Sequence, residues 1–295
     1  MSGMHGPAGR RLATGPGSPR RHRWVVPLVA GLVLLAVTVT LTATSGRQAA
    51  GPRPGPALLL DEGFDRASID PSLWGTCYWW GCTIDANDEL EWYEASQVRV
   101  AGGHLNLVAE PGPVTTEDDG TYPYRSGMIT TGPEEEDGPA RFSFRYGSVE
   151  ARIRVPAGKG LWSALWMLPA EGDSEPEVDI LEVLGHDTTR SHHTLHPEGD
   201  GEELAKERSG PDLSGGWHVY RLDWSPGELR WFVDGTQVFL VKGEDVPDVP
   251  MYLMANLAVG GWWPGPPDEA TRFPATMAVD YIRVRSLAAV AGSGR

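Results

Sequence analysis

Glycine and proline interrupt nearly every stretch of this chain, and this feature restricts its fold more than any other. The 295 residues include 37 Gly and 25 Pro, and beyond residue 60 no segment shows the spacing of an amphipathic helix. What is left is a series of short segments bounded by turn residues. Many such segments predict an all-β protein, built as a sandwich or barrel of antiparallel sheets. A single β-sandwich of this length is ordinary.

Several segments carry the strand pattern clearly. In residues 146–155, apolar side chains alternate with charged ones, which is typical of a half-buried strand. Residues 217–241 are predicted to form three short strands with turns at 225–227 and 234–235, and the Asp-Gly of the second turn suits a tight hairpin. Further strands are predicted in 102–110 and 277–286.

The N-terminal part has a different character. Residues 24–43 are uncharged and mostly apolar, which is long enough for a helix that crosses a bilayer. Five Arg precede them and would keep the N-terminus cytoplasmic. A cleaved signal peptide is the alternative interpretation. Either way, the following domain is expected outside the cytoplasm, secreted or anchored by this one helix. The predicted organisation is a disordered basic N-terminus (1–23), a transmembrane anchor or signal segment (24–43), a Pro/Gly linker (44–57), a β-sandwich domain (58–287) and a flexible tail (288–295).

Charge narrows the range of partners. Residues 1–60 hold seven Arg and no acid, so the rest of the chain carries 18 Lys and Arg against 40 Asp and Glu. An acidic surface of this kind repels phosphate backbones, which argues against nucleic-acid binding. The charge fits a neutral or cationic partner, or simply a soluble protein, and does not choose between them. We expect a monomer.

The two cysteines, Cys77 and Cys82, enclose four residues rich in Trp and Gly. Export would allow them to form a disulfide. So short a loop adds little to global stability. Its expected effect is to hold Tyr78, Trp79 and Trp80 in place.

One segment, EPEVDILEV at residues 175–183, carries three carboxylates in an irregular spacing. In a regular strand Glu177 and Asp179 share a face and Glu182 points to the other. Ile180 and Leu181 break the alternation, and one extra residue there, a β-bulge, would return Glu182 to the face of the other two acids. A solvated outer face is the alternative. Paired carboxyls on one face are the arrangement that hydrolyses glycosidic bonds.

The spacing Glu-x-Asp-x-x-Glu resembles the signature of glycoside hydrolase family 16, in the bulged form of laminarinase-like endo-β-1,3-glucanases. The resemblance covers nearly all of residues 58–286. The matching segments, in order, are 58–65, 87–110, 124–131, 146–169, 217–235 and 251–265. It implies a β-jelly-roll sandwich of two antiparallel sheets with a substrate cleft across the concave sheet. It also implies a retaining endo-glycosidase that hydrolyses internal β-1,3 bonds, or mixed β-1,3-1,4 bonds, of a glucan without a catalytic cofactor.

By this resemblance Glu177 is the nucleophile, Glu182 the general acid/base and Asp179 an electrostatic helper. Indole planes suit the apolar faces of sugar rings, so some Trp residues are predicted as walls of the cleft, whereas Trp217, Trp224 and Trp231 are predicted in the core. The resemblance also places several polar residues in the cleft. The predicted substrate-binding residues are Trp162, Trp166, Trp263, Asn87, Glu89, Arg125, Asn256 and His196.

Members of the family often carry a structural calcium, and the matching positions are Glu62, the carbonyl of Gly103, and Asp280. Oxygen ligands suit a hard cation. The alternative is two surface carboxylates joined by water.

The sequence departs from the family pattern at Pro176, Ser163, Trp262 and Met128. These positions affect the identity of the polysaccharide more than the reaction. A hydrolase of agarose- or carrageenan-type galactans and a transglycosylase are the nearest alternatives. A glucan-binding protein without catalysis is an alternative of another class, but it predicts loss of the acidic triad, which is present here.

Overall fold

Strands dominate the part of the chain that the structure, a computed structural model, describes, which is residues 56–117, 120–171, 174–199 and 201–287. The strands are β1 (Leu58–Glu62), β2 (Glu91–Tyr93), β3 (Val98–Ala101), β4 (His104–Thr115), β5 (Thr121–Ser126), β6 (Met128–Thr130), β7 (Gly147–Arg154), β8 (Leu161–Pro169), β9 (Glu177–Leu184), β10 (Arg190–His196), β11 (Leu204–Ser209), β12 (His218–Ser225), β13 (Glu228–Val233), β14 (Thr236–Lys242), β15 (Met251–Val259) and β16 (Ala275–Arg285). Two single turns of 3₁₀-helix lie at Asp85–Asn87 and Ala95–Gln97.

The strands form two sheets, which confirms the predicted all-β sandwich. The larger sheet has ten strands in the order β14-β13-β12-β7-β16-β4-β5-β2, with β1 on β16 and β3 on β4. The smaller has six strands in the order β11-β10-β9-β8-β15-β6. The strand pairs are antiparallel with one exception among the described strands, because β2 runs parallel to β5.

The sequence pattern located the hairpins of the larger sheet correctly. Residues 217–241 form β12, β13 and β14, as predicted. Asp234 and Gly235 both have positive φ, 49° and 76°. Positive φ at both central residues is what a two-residue hairpin turn requires, and Asp-Gly tolerates it well.

The main core lies between the two sheets. Its members come from alternate positions of the strands, such as Val149, Ala151 and Ile153 of β7 and the fully buried Trp224 of β12. Burying a side chain of the size of Val or Leu contributes roughly 1.5–3 kcal/mol. Trp217 was predicted here, but it is only half-buried and contacts two arginines.

A second, smaller cluster covers the outer face of the six-stranded sheet. Tyr78 and Tyr93 lie over Trp166, Met254 and Tyr252 in this cluster. Strand β15 is therefore buried on both faces along its whole length. This layer supports the floor of the cleft described below.

The predictions for residues 1–55 and for the tail from residue 288 fall outside the described residues. Within the described residues, no helix has the length and apolar character needed to cross a bilayer.

Candidate active site

A bulge divides the acidic strand β9. Leu165 of β8 lies opposite Leu181. The next residue of β8, Trp166, lies opposite Asp179, so that Ile180 is an extra residue in β9. The predicted bulge is confirmed, and it changes which face the later residues of the strand occupy.

The bulge separates the acids of β9 from its apolar residues. Glu177, Asp179 and Glu182 all line one cavity of about 630 Å³ on the outer face of the six-stranded sheet. The four apolar side chains between and after them are buried in the sandwich core: Val178, Ile180, Leu181 and Val183. Without the extra residue, the side chain of Glu182 would point into that core.

The three acids are withdrawn from water. Asp179 is 3% exposed and Glu182 8% exposed, and Glu177 is half-buried. Burial raises the pKa of both Glu177 and Glu182 well above the ordinary value, and the negative charge of Asp179 raises each pKa further. Since the indole N–H of Trp162 donates to Oε1 of Glu182 at 3.1 Å, it stabilises the ionised form and opposes part of that rise. Such acids hold a proton to higher pH than exposed carboxyls do.

His196 lies beside the central acid of this cluster. Its Nε2 lies 3.3 Å from Oδ2 of Asp179, and its Nδ1 lies 3.7 Å from a carboxylate oxygen of Glu203. The hydrogen bond with Asp179 raises the pKa of His196 above its usual value. Donor atoms of Glu177, Asp179 and His196 come within 4.8 Å of one another, the spacing of a metal site, but the same spacing serves acid–base chemistry.

One wall of the cavity is aromatic, as predicted. The rings of Trp162 and Trp263 meet edge to face with centroids 5.3 Å apart, and the ring of His192 meets Trp263 at 4.8 Å. Trp262 lies beside Trp263 and is 65% exposed. An exposed indole plane next to a cleft is a suitable surface for a sugar ring.

Two consecutive glycines set the direction of this aromatic wall. Gly260 and Gly261 have φ of 81° and 102°. A Cβ on Gly260 would lie 2.4 Å from the side chain of Leu90, and one on Gly261 would lie 2.9 Å from the carbonyl oxygen of Asn87. Only glycine meets both demands, and the turn leads directly into the two tryptophans.

A network of hydrogen bonds fixes the floor of the cavity. Trp166 Nε1 donates to Asn256 Oδ1 at 2.8 Å, and Asn256 Nδ2 donates to the hydroxyl of Tyr93 at 3.0 Å. Both predicted residues, Trp166 and Asn256, line the cavity. Because these partners are buried, the amide and the indole are held in one orientation.

A second pair of buried acids lies at the edge of the cavity. Glu89 lines it, accepting hydrogen bonds from Asn87 Nδ2 at 2.9 Å and from the backbone N–H of Ile84 at 3.3 Å. Glu91 is completely buried behind it and accepts a bond from the N–H of Val259 at 2.8 Å. Burial raises the pKa of both carboxyls. The predicted cleft residues Asn87 and Glu89 thus lie in front of a third side chain, the buried acid Glu91.

The disulfide loop, residues 77–82, forms another part of the cavity lining. Cys77 and Cys82 are bonded, as predicted. Inside the loop the ring of Trp80 stacks on that of Tyr78 with centroids 4.5 Å apart and planes within 3°. Trp80 lines the cavity and is 40% exposed.

Arg125 is the predicted cleft residue that the structure places elsewhere. It lies on β5, in the ten-stranded sheet, with its Nε 3.5 Å from a carboxylate oxygen of Glu94. The other seven predicted substrate-binding residues line the cavity. The reason for the difference is that β5 continues the far sheet before the chain crosses to β6.

The residues predicted to bind calcium are already engaged. Both oxygens of Glu62 accept hydrogen bonds, from the N–H of Phe64 at 2.8 Å and from Trp74 Nε1 at 3.2 Å. Oδ2 of Asp280 is 2.8 Å from Nη1 of Arg152, whose positive charge opposes a cation there. Gly103 lies in the turn before β4 with φ of 77°. This arrangement does not fit a calcium ion.

Sequence reasoning left out several lining residues. On β8 and β10 the missed residues lie two positions from predicted ones. Every second residue of a strand points to the same face, so this rule could have found them. In the loops no periodic signal exists. The missed residues are Ala164, Leu168 and Thr194 on strands, and Ile84, Ser174 and Glu203 in loops. Trp80 and Trp262, which residue type alone makes candidates for the wall, also line the cavity from loops.

A β-sandwich whose outer face carries three converging carboxyls beside an aromatic wall defines an enzyme that cleaves glycosidic bonds. Comparison with known families agrees with this class: the chain belongs to glycosyl hydrolases family 16, which it matches over residues 93–283. It is therefore a glycoside hydrolase.

Individual relatives show the extent of the likeness. The chain is 33% identical over 232 residues to the endo-1,3-1,4-beta-glycanase EglC of Rhizobium meliloti (strain 1021), covering 73% of this chain and 48% of that protein. It is 31% identical over 257 residues to a beta-glucanase of Rhodothermus marinus, covering 77% of this chain and 84% of the relative. The solved laminarinase catalytic domain of Thermotoga maritima MSB8 is 34% identical with a TM-score of 0.71, covering 79% of this chain and 99% of that domain. This chain thus spans about half of the first relative and nearly all of the laminarinase domain.

Proposed function

We propose that this protein is an exported, retaining endo-glucanase that hydrolyses internal β-1,3 bonds of a glucan, with mixed β-1,3-1,4 glucan as a further substrate. The cavity supports this most directly, because it combines three converging acids with an aromatic wall. The relatives named as a laminarinase, a beta-glucanase and an endo-1,3-1,4-beta-glycanase support the substrate class. The disulfide between Cys77 and Cys82 supports an oxidising compartment.

The first chemical step breaks the glycosidic bond. A carboxylate oxygen of Glu177 attacks the anomeric carbon while Glu182 donates its proton to the departing glycosidic oxygen. The raised pKa of Glu182, caused by burial and by Asp179, suits it to carry that proton. The products are a covalent glycosyl-enzyme ester on Glu177 and a free chain end.

The second step restores the enzyme. Glu182, now ionised, takes a proton from a water molecule as the water attacks the anomeric carbon, and the ester bond to Glu177 breaks. Two inversions give overall retention of configuration. Asp179, with His196 beside it, keeps the negative charge between the two acids in a fixed position.

The aromatic residues are proposed to hold the chain of sugars. Trp162 and Trp263 form the wall beside Glu182, whereas Trp80 lies in the disulfide loop and Trp166 packs against Tyr78 of that loop. Asn87, Glu89 and Asn256 present polar groups that suit sugar hydroxyls. A sugar acceptor in place of water would give transglycosylation through the same intermediate.

The charge of the cavity disfavours sulfated galactans, the carrageenan-type part of the galactan alternative. Among the described residues that line it, none is a lysine or an arginine, whereas five are acids: Glu89, Glu177, Asp179, Glu182 and Glu203. A sulfated galactan would be repelled by such a surface. A glucan is neutral, so this surface does not repel it.

The test is to incubate the full chain with laminarin, lichenan and agarose and to measure new reducing ends. We expect release from laminarin, a smaller or equal release from lichenan and none from agarose, and we expect Glu177→Gln to lose the activity. Proton NMR during the first minutes should show the β-anomer of the new chain end before it equilibrates. An α-anomer first, or full activity in Glu177→Gln, would contradict the proposal.

A further inference from the structure

The bulge in β9 is held by two side chains that lie outside the cavity. At a bulge two residues oppose one, and the ladder of backbone hydrogen bonds is locally disrupted. In this protein the carbonyl groups of two consecutive bulge residues, Asp179 and Ile180, each accept a hydrogen bond from a buried ring nitrogen. The two donors come from different sheets.

The first donor is His193 of β10. On β10, His192 lies opposite Glu182 and Thr194 opposite Asp179, so His193 is the one residue between them that faces both Ile180 and Leu181. Its side chain is fully buried, and its Nδ1 lies 2.8 Å from the carbonyl oxygen of Ile180. A carbonyl can only accept, so Nδ1 carries the proton.

The state of His193 is fixed by its surroundings. Burial lowers the pKa of His193 to about 4, so the ring is neutral at ordinary pH and has a single N–H. Its Nε2 lies 3.1 Å from Oγ of Ser191, which donates to it. A hydroxyl on one nitrogen and a carbonyl on the other leave only one tautomer with both bonds satisfied.

The second donor is Trp231 of β13, in the opposite sheet. Its Nε1 donates to the carbonyl oxygen of Asp179 at 2.8 Å, and its ring is completely buried in the core. Phe239 packs against the ring with centroids 4.8 Å apart, which limits its rotation. The bond therefore ties the backbone of the acidic strand to the sheet behind it.

We infer that His193 and Trp231 are positioning residues for the hydrolysis, which act by holding the bulge and so keep the carboxyl of Glu182 aligned with those of Glu177 and Asp179. This inference rests on the proposed function. The acids on either side of the bulge must cooperate on one glycosidic bond, and small displacements between catalytic groups are costly, since about 1 Å can lower a rate by about 100-fold. Neither donor touches the cavity.

Matched variants separate positioning from mere core packing. Trp231→Phe keeps the large ring but removes the N–H. Trp224→Phe is its control, because Trp224 is also a fully buried residue of the same sheet that donates to a backbone carbonyl, of Pro247, at 2.9 Å, away from the bulge. His193→Leu removes the donor on β10. In His193→Asn, the amide nitrogen takes the position of Nδ1 and keeps the bond to Ile180.

The measurements are kcat and KM on laminarin per mole of folded enzyme, with the pH profile of kcat/KM. We expect kcat to fall about 10- to 100-fold in Trp231→Phe and in His193→Leu, with KM within about threefold. His193→Asn should return kcat to within about threefold of the original, and Trp224→Phe should leave it there. The pH profile should change shape in the two impaired variants, because the spacing of the coupled acids changes.

Three outcomes would overturn the inference. They are an unchanged kcat in Trp231→Phe, an equal loss of kcat in Trp224→Phe, and a failure of His193→Asn to exceed His193→Leu. Should His193→Leu not fold, the Trp231 and Trp224 pair still decides the question. Glu177→Gln, assayed in parallel, keeps the two proposals apart: its full activity would reject the assigned nucleophile, whatever the other variants do.

Discussion

Two sets of acids in this protein have opposite surroundings. On the ten-stranded sheet, Asp280 lies 2.8 Å from Arg152, Asp61 lies 2.7 Å from Arg283, and Glu228 lies 2.6 Å from Lys242. In the cavity, Glu177 and Glu182 have no arginine or lysine beside them among the described lining residues.

The difference decides what each set can do. The hydrogen bond from Lys242 lowers the pKa of Glu228, which keeps that acid ionised. Burial raises the pKa of Glu182, which suits that acid to its proposed role of proton donor. The same residue type is thus a surface ion-pair partner in one sheet and a candidate proton donor in the other. The two glutamates differ because Glu182 is buried with no described lysine or arginine beside it, whereas Glu228 is paired with Lys242.

The largest effect is expected for removal of the proposed proton donor. Glu182→Gln should lower kcat on laminarin about 10²- to 10⁴-fold, because a general acid contributes about that much. An aryl glucoside whose leaving group needs no protonation should still react quickly in the first step, so pre-steady-state release of the phenol is the measurement. Glu228→Gln, the matched change on the far sheet, should remain within about twofold of the original. Equal losses in the two variants would show that the comparison is wrong.

A shift in pH dependence is expected for the central acid. Asp179→Asn should lower kcat about 10²-fold, since it removes a fixed charge from the site. The negative charge of Asp179 raises the pKa of both Glu177 and Glu182, so its removal lowers both values. Both limbs of the kcat/KM profile should then move toward lower pH. A profile that keeps its limbs would show that burial alone sets those pKa values, and one that moves toward higher pH would show that Asp179 does not raise them.

The smallest effect is expected on the ten-stranded sheet. Asp280→Asn should change the free energy of unfolding by less than about 1 kcal/mol, because partly exposed ion pairs contribute little. Activity should not change, and a calcium chelator should leave the Tm of the original protein unaltered. A Tm that falls on chelation in the original protein, but not in Asp280→Asn, would restore the calcium prediction.

Local pattern was sufficient for the strands and for the bulge. The adjacent apolar residues Ile180 and Leu181 break the alternation of β9, and the bulge predicted from that break is present, whereas the alternative of a solvated outer face is not. The alternation of Trp162 and Trp166 likewise placed both on one face. These signals work because the period of a strand is fixed by its backbone.

The sequence pattern did not predict contacts between segments that are distant in the chain. Trp80 and Trp262 reach the cavity through loops, and no periodicity describes a loop. Arg125 has the right local context but belongs to the wrong sheet. The bonds from His193 and Trp231 to the bulge join residues 13 and 52 positions apart. No spacing in the sequence indicates such partners.

The buried acids of the cavity also couple folding to proton uptake. Glu89, Glu91, Glu177 and Glu182 all have pKa values raised above 4.5 in the folded chain. Between that value and the raised ones, the folded chain binds protons that the unfolded chain releases. Their contribution to stability is therefore complete below about pH 4.5 and is lost as the pH rises through the native values. The burial that suits Glu177 and Glu182 to their proposed roles thus also makes these four carboxyls favour the folded state most below about pH 4.5.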